Sequence, residues 1–146
     1  MRRLALVVVA GLALAGCGGG SSQPTTTGQS AAAAKAQIKS AYMKFFSGQT
    51  SVSDREAVLE DGAKFKSVIQ SFASNPLAKN VSVTVSSVKL QGANDAKVVY
   101  TVKLGGAGLP KQTGTAVLQD GNWKVGDASL CKLVSLQGTT PSACKS

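Results

Sequence analysis

The chain reads as an α+β domain: three amino-terminal helices packed on a curved four-stranded antiparallel sheet. Three observations predict it. Apolar residues fall at helical spacing from Ala31 to Ala73; the period changes to two from Val81 onward; and Asp120-Gly121, between two alternating runs, is a strong two-residue hairpin signal. Helices first and strands afterwards is the order of a sheet with its helices gathered on one face.

The elements follow in turn. Ser30 can cap a helix from Ala31 to Phe46 that stops at Gly48, with Ala34, Ile38, Ala41, Tyr42 and Phe45 as its apolar stripe and Lys35 and Lys39 on the wet side. Ser53-Asp54-Arg55-Glu56 has the form of a capping box, with Ser53 at the cap and Glu56 reaching back. It opens a short helix with Val58 and Leu59 on its apolar edge and Gly62 at its end. A third helix runs from Ala63 to Ala73, where Phe65, Val68, Ile69 and Phe72 lie at i, i+3, i+4 and i+7. Asn75-Pro76 ends it, because proline biases the residue before it away from helix.

Val81, Val83 and Val85 share one strand face, and Val88 and Leu90 fall on the opposite parity. The slip at Ser86-Ser87 predicts a bulge or a bend. After a turn at Gln91–Asp95, residues Ala96, Val98, Tyr100, Val102 and Leu104 make the clearest strand in the chain. Gly105 to Pro110 reads as a loop and Lys111 to Gln119 as the third strand. The fourth passes through Trp123 and Val125 and continues past a break near Asp127 towards Leu130.

The amino terminus is of another kind. Arg2 and Arg3 precede an unbroken run of apolar or small residues from Leu4 to Gly16, 13 in all, where a bilayer-spanning helix takes about 20. A basic start, a short apolar stretch and small residues before a break mark an export signal. Leu14-Ala15-Gly16-Cys17 resembles the lipobox recognised by prolipoprotein diacylglyceryl transferase and the lipoprotein signal peptidase. The resemblance implies cleavage after residue 16 and a diacylglyceryl group on the sulfur of Cys17. Two acyl chains make a stable anchor, whereas one binds only marginally. The expected address is the outer face of the bacterial cytoplasmic membrane.

Residues 17–30, Gly/Ser/Thr-rich with no residue for a core, read as a flexible tether. About 12 such residues reach roughly 20 Å. Residues 31–136 form the α+β domain and 137–146 a tail. The chain has three cysteines. Giving Cys17 to lipid leaves Cys131 and Cys144, which can pair in an oxidising compartment and staple the tail, worth roughly 3 kcal/mol, or can remain free thiols. With two candidate cysteines and no histidine, a Cys-rich metal site is out of reach, and no cofactor is expected.

The chain carries 16 basic and 7 acidic residues, formally +9; without Arg2 and Arg3 the balance is +7. The lysines are scattered singly from Lys35 to Lys145 with little aromatic interleaving, so nucleic acid is not the expected partner. An anionic membrane or wall polymer is a simpler reason for the charge.

The element order resembles the nuclear-transport-factor-like, or cystatin-like, cone fold. Closer still, Leu77 with the Val-rich strand after it, the Thr-Gly-Thr-Ala strand, the Asp-Gly-Asn-Trp-Lys-Val hairpin and the Ala128-Ser129 exit resemble the mycobacterial low-molecular-weight secreted antigen family. The resemblance covers about residues 31 to 136 and implies an anchored actinobacterial relative. The lipobox and the Cys131/Cys144 pair depart from the pattern. Members of that family are known mainly as exported antigens without an established activity, so no mechanism is implied.

Catalytic residues are hard to find. The absence of histidine removes the commonest general base and the usual triads. Asp54 and Glu56 suit a helix's first turn, Asp95 and Asp120 suit turns, and Glu60 and Asp61 read as an exposed pair. Asp127 reads as a turn or bulge residue beside the last strand. Gly105-Gly106-Ala107-Gly108 lacks the Gly-Lys-Ser/Thr ending of a phosphate loop and reads as a strand connection. Tyr42, Phe45, Phe72, Tyr100 and Trp123 point between helices and sheet, either as plain core or as the lining of a ligand pocket with the tyrosines as polar ends. Two function classes remain. One is a non-catalytic envelope lipoprotein that binds a protein, a wall component or an apolar small molecule. The other is a cone-fold hydratase or isomerase with Asp127 or Tyr100 as acid–base group.

Overall fold

A computed structural model describes residues 29–135, 138 and 140–145. The export signal, Cys17 and most of the tether lie outside the described residues. Helices α1 (Ala31–Phe46), α2 (Val52–Ala57) and α3 (Lys66–Ser74) precede strands β1 (Val81–Leu90), β2 (Asp95–Leu104), β3 (Ala107–Gly108), β4 (Gln112–Gln119) and β5 (Asn122–Val125). Helix α4 (Asp127–Ser135) and a 3-10 turn at Ser142–Cys144 follow. The fold is α+β, with helices packed against a curled antiparallel half-barrel in the order β1-β2-β4-β5.

Helix α1 forms as its sequence dictates. Ser30 caps it by accepting from the Ala33 N–H at 3.2 Å, and the stripe from Ala34 to Phe45 is buried together with Phe46. Gly48 closes it because the chain there passes so close to the Lys79 and Ala78 carbonyls that no side chain would fit.

Helix α2 starts two residues earlier than the Ser53 box implies. Ser51 is the cap; its Oγ accepts from the Asp54 N–H at 3.1 Å and donates to Asp54 Oδ2 at 2.7 Å. Ser51 and Asp54 have the same three-residue spacing as Ser53 and Glu56, and Arg55 on this helix is buried. Glu56 instead lies 3.9 Å from Lys66 Nζ. The third helix begins as a 3-10 turn, Gly62–Phe65, before α3 proper. Phe65 and Ile69 are buried, and Val68 and Phe72 are half-buried against the same core.

The bulge predicted at Ser86-Ser87 is present: the β1–β2 register shifts between Val85 and Ser87. Strand β2 alternates as read, burying Ala96, Val98, Tyr100 and Val102. The Gly105–Pro110 loop contains a tight hairpin, since Gly105 and Gly106 both take positive φ and return the chain as β3 beside β2. Asp120 and Gly121 also both take positive φ, 54° and 76°, the conformation of a type I′ turn between β4 and β5.

The last strand is shorter than expected. It ends at Val125, and the residues from Asp127 wind into α4. Ser129 and Leu130 are consecutive and both buried, which a strand half-exposed to water cannot arrange but a helix can. Asp127 therefore heads a helix, where the dipole favours its charge, rather than occupying a bulge. Cys131 in α4 is joined to Cys144 by a disulfide, Cα to Cα 5.5 Å, which ties the tail to α4.

Candidate functional site

The interior is filled with aromatic rings. Tyr42, Phe45 and Phe46 from α1 meet Tyr100 from β2; ring centroids are 5.1 Å apart for Tyr42 and Tyr100, 5.4 Å for Phe46 and Tyr100, and 5.1 Å for Phe45 and Phe46. Tyr42 is 0% exposed and Tyr100 1%. Burial raises the pKa of both hydroxyls, that of Tyr42 well above the ordinary tyrosine range.

The Tyr42 hydroxyl is already engaged. It donates to the Thr115 carbonyl at 2.6 Å and lies 3.2 Å from Ser129 Oγ, which accepts from the Thr115 N–H at 2.8 Å. Thr115 sits where β4 runs beyond the end of β5, so its edge groups would otherwise be bare. The Gly126 N–H, also donating to the Thr115 carbonyl at 2.8 Å, completes their satisfaction. Gly114 makes the junction fit: a β-carbon there would come within 2.5 Å of Ser129 Oγ and 2.6 Å of the Tyr42 hydroxyl.

The five residues read as pocket lining therefore do not share one hollow. Tyr42, Phe45 and Tyr100 pack into the core, and Trp123, 6% exposed, lines an open groove of about 550 Å³ between α1, the end of α2 and β5. Phe72 stands apart, lining a groove of about 330 Å³ with Val68, Val134 and Pro141.

Phe72 also carries a residue the sequence reading passed over. The Arg55 guanidinium lies 5.3 Å over its ring and donates through Nη2 to the Ser47 carbonyl at 2.7 Å. Ser47 is the C-cap of α1, so a cation meets the negative end of that helix. Arg55 is 1% exposed, its Nε and Nη1 have no hydrogen-bond partner among the described residues, and burial lowers its pKa. Ser-Asp-Arg-Glu looks like a solvated helix start. The available signal is that Arg55 falls three residues after Val52 and four before Leu59, inside the apolar stripe.

The carboxylates are distributed around the surface in structural roles. Glu60 is half-buried, and its Oε2 accepts the Asp127 N–H at 3.1 Å. Burial raises the Glu60 pKa, with the neighbouring Asp127 charge adding to the rise against that hydrogen bond. Asp61, in the left-handed region at φ 48°, pairs with Lys64 at 2.6 Å and accepts from Gln119 Nε2 at 2.9 Å. Neither runner-up acid–base group is well placed: Asp127 starts α4, and Tyr100 faces other rings. No helix among the described residues is long and apolar enough to cross a membrane.

A family model, the C-terminal domain of low molecular weight antigen MTB12, matches residues 31–141. The chain belongs to that family. The match to the MTB12 domain begins on the first residue of α1 and runs to Pro141, taking in the whole sheet, α4 and Cys131 but not Cys144. No curated protein matches the chain. Motifs singled out in the sequence have physical roles within the matched range: Thr113-Gly114-Thr115-Ala116 builds the junction with Tyr42, Asp120-Gly121 turns the hairpin, and Ala128-Ser129 brings the Ser129 hydroxyl to the β4 edge.

Proposed function

We propose that this protein is an exported, membrane-anchored lipoprotein whose MTB12-type domain acts without catalysis, by surface recognition at the cell envelope. The observation that carries the non-catalytic part is the interior. Its rings pack against one another, the Tyr42 hydroxyl is spent on closing a strand edge, and the candidate acids serve helix starts and turns. A hydratase or isomerase needs an acid or base facing a substrate hollow; Asp127 instead starts α4 and Tyr100 packs against other rings.

The anchor rests on the sequence before residue 17: a basic start, 13 apolar or small residues and a lipobox-like Leu-Ala-Gly-Cys. Cys17 is the residue modified, and the tether holds the domain within roughly 20 Å of the headgroups. The test is metabolic labelling with a palmitate analogue in an actinobacterial host. Label on the wild-type chain and none on Cys17→Ala is the expected result. Equal label on both chains, or none on either, contradicts the proposal.

A further inference from the structure

The face of the sheet turned away from the helices is mostly polar, interrupted by half-buried Val99 and Val117, and its charge is one-sided. On β1 it presents Ser82, Thr84, Ser87 and Lys89; on β2 Asp95, Lys97, Thr101 and Lys103; on β4 Thr113 and Thr115. Lys89 stands directly opposite Lys97, and Lys97 directly opposite Thr115, so two lysines and a threonine form a row across three strands. Like charges facing each other across a strand pair destabilise a sheet. None of the ion pairs among the described residues relieves them. Asp95 is the one carboxylate on these three strand faces, and it pairs with neither lysine.

Where the row meets α4 the surface is hollowed. A cleft of about 300 Å³ lies between Lys97 on β2 and Lys132 on α4, floored by Gln91, Thr113, Thr115 and Ser129. Lys89, Lys97 and Lys132 make no ion pair among the described residues, and Thr113 and Thr115 add side-chain hydroxyls to the cleft lining. Cations on two walls of a cleft with hydroxyl groups in its lining suit a tetrahedral phosphate, which accepts hydrogen bonds through several oxygens at once. The face offers no aromatic ring, so it lacks the stacking platforms with which proteins hold single-stranded nucleic acid.

We propose that the cleft bounded by Lys97 and Lys132, with Lys89 beside it, binds the phosphate of anionic membrane lipids and lays the outer face of the sheet on the bilayer surface. Charge complementarity selects the partner. The proposal rests on the lipoprotein reading only for where that surface is met, because a tethered domain stays within reach of the headgroups. An anionic surface rewards each nearby lysine with roughly fivefold in affinity, so three together are worth on the order of 100-fold.

The experiment uses the full chain carrying Cys17→Ser, which takes no lipid, sedimented with vesicles of phosphatidylcholine alone or with added phosphatidylglycerol. Binding to the zwitterionic vesicles reports the apolar leader; the gain on adding phosphatidylglycerol reports the site. The expected result is a gain that falls with salt, is cut about 100-fold in K89Q/K97Q/K132Q, and survives in K35Q/K39Q/K79Q, where three other exposed lysines carry the same charge loss. Backbone amide shifts of the unsubstituted chain on adding short-chain phosphatidylglycerol should cluster at Lys97, Thr113, Thr115 and Lys132, a readout independent of how the variants fold. Equal losses in the two triple variants, or no gain from phosphatidylglycerol, overturns the proposal. So does a response at these residues to inorganic phosphate without vesicle binding, which assigns the cleft to a free anion. Because the probe chain lacks lipid, failure here leaves the anchor at Cys17 untouched, and failure of lipidation leaves this binding unchanged.

Discussion

Thr115 shows how single residues hold the domain together. One N–H and one carbonyl at the end of a strand pairing draw in Ser129, Gly126 and Tyr42, from α4, the bend before it and α1. Ser129→Ala leaves the part-buried Thr115 N–H without its acceptor and should cost about 1–3 kcal/mol in urea unfolding, whereas Tyr42→Phe, which leaves the Thr115 carbonyl with Gly126, should cost about 1 kcal/mol. A larger loss for Tyr42→Phe than for Ser129→Ala would contradict this account of the junction. Glu60 makes a pH-dependent prediction. Its folded pKa is raised by burial, so ionising it weakens the folded state; the penalty is absent in acid and grows as pH rises through the glutamate range. Glu60→Gln keeps an oxygen for the Asp127 N–H and removes that penalty. The variant should gain stability relative to wild type on going from acid to neutral pH, measured by thermal melting at several pH values; a difference constant across pH would sink the assignment.

At the scale of elements, what the sequence made legible divides by how many independent signals agreed. Helix α1 appears with its expected ends because a cap, an apolar stripe and a glycine all point to the same boundaries. Strand β2 and the Asp120-Gly121 turn are similarly unambiguous, and the bulge at Ser86-Ser87 is visible as a change of parity. Helix α2 was misplaced by two residues because Ser51 and Ser53 both stand three residues before an acid. Helix α4 is hidden in the sequence because Trp123 and Val125 set a two-residue period that Asp127 and Ser129 extend. The sign against it is the pair Leu130 and Val134, four apart beyond Gly126. Two predictions belong here. Arg55→Ala removes the cation from the α1 C-cap and leaves a void against Phe72, and should destabilise by roughly 2–4 kcal/mol in chemical denaturation. An exposed-residue effect below about 0.5 kcal/mol would refute its burial. Reduction of Cys131–Cys144 should cost roughly 3 kcal/mol, with amide exchange accelerating first in α4 and at Ser142–Cys144 while the β2 amides stay protected.

On the proposed reading, the whole molecule joins a packed domain to an address written outside it. The core explains why the sequence offered no convincing active site: the tyrosines and phenylalanines suggestive of a pocket are needed to fill the space between α1 and the sheet. Candidate surface chemistry was harder to read, because Lys89, Lys97 and Lys132 are spread over 44 residues and only strand register and α4 bring them together. The scattered lysines were legible as net charge but not as a cleft. The central claim, a lipid-anchored domain, is tested most directly by intact mass spectrometry of the protein purified from its native membrane. The account predicts a chain beginning at Cys17, carrying a diacylglyceryl adduct. An unmodified Cys17, or a mature chain cleaved at another residue, would contradict it.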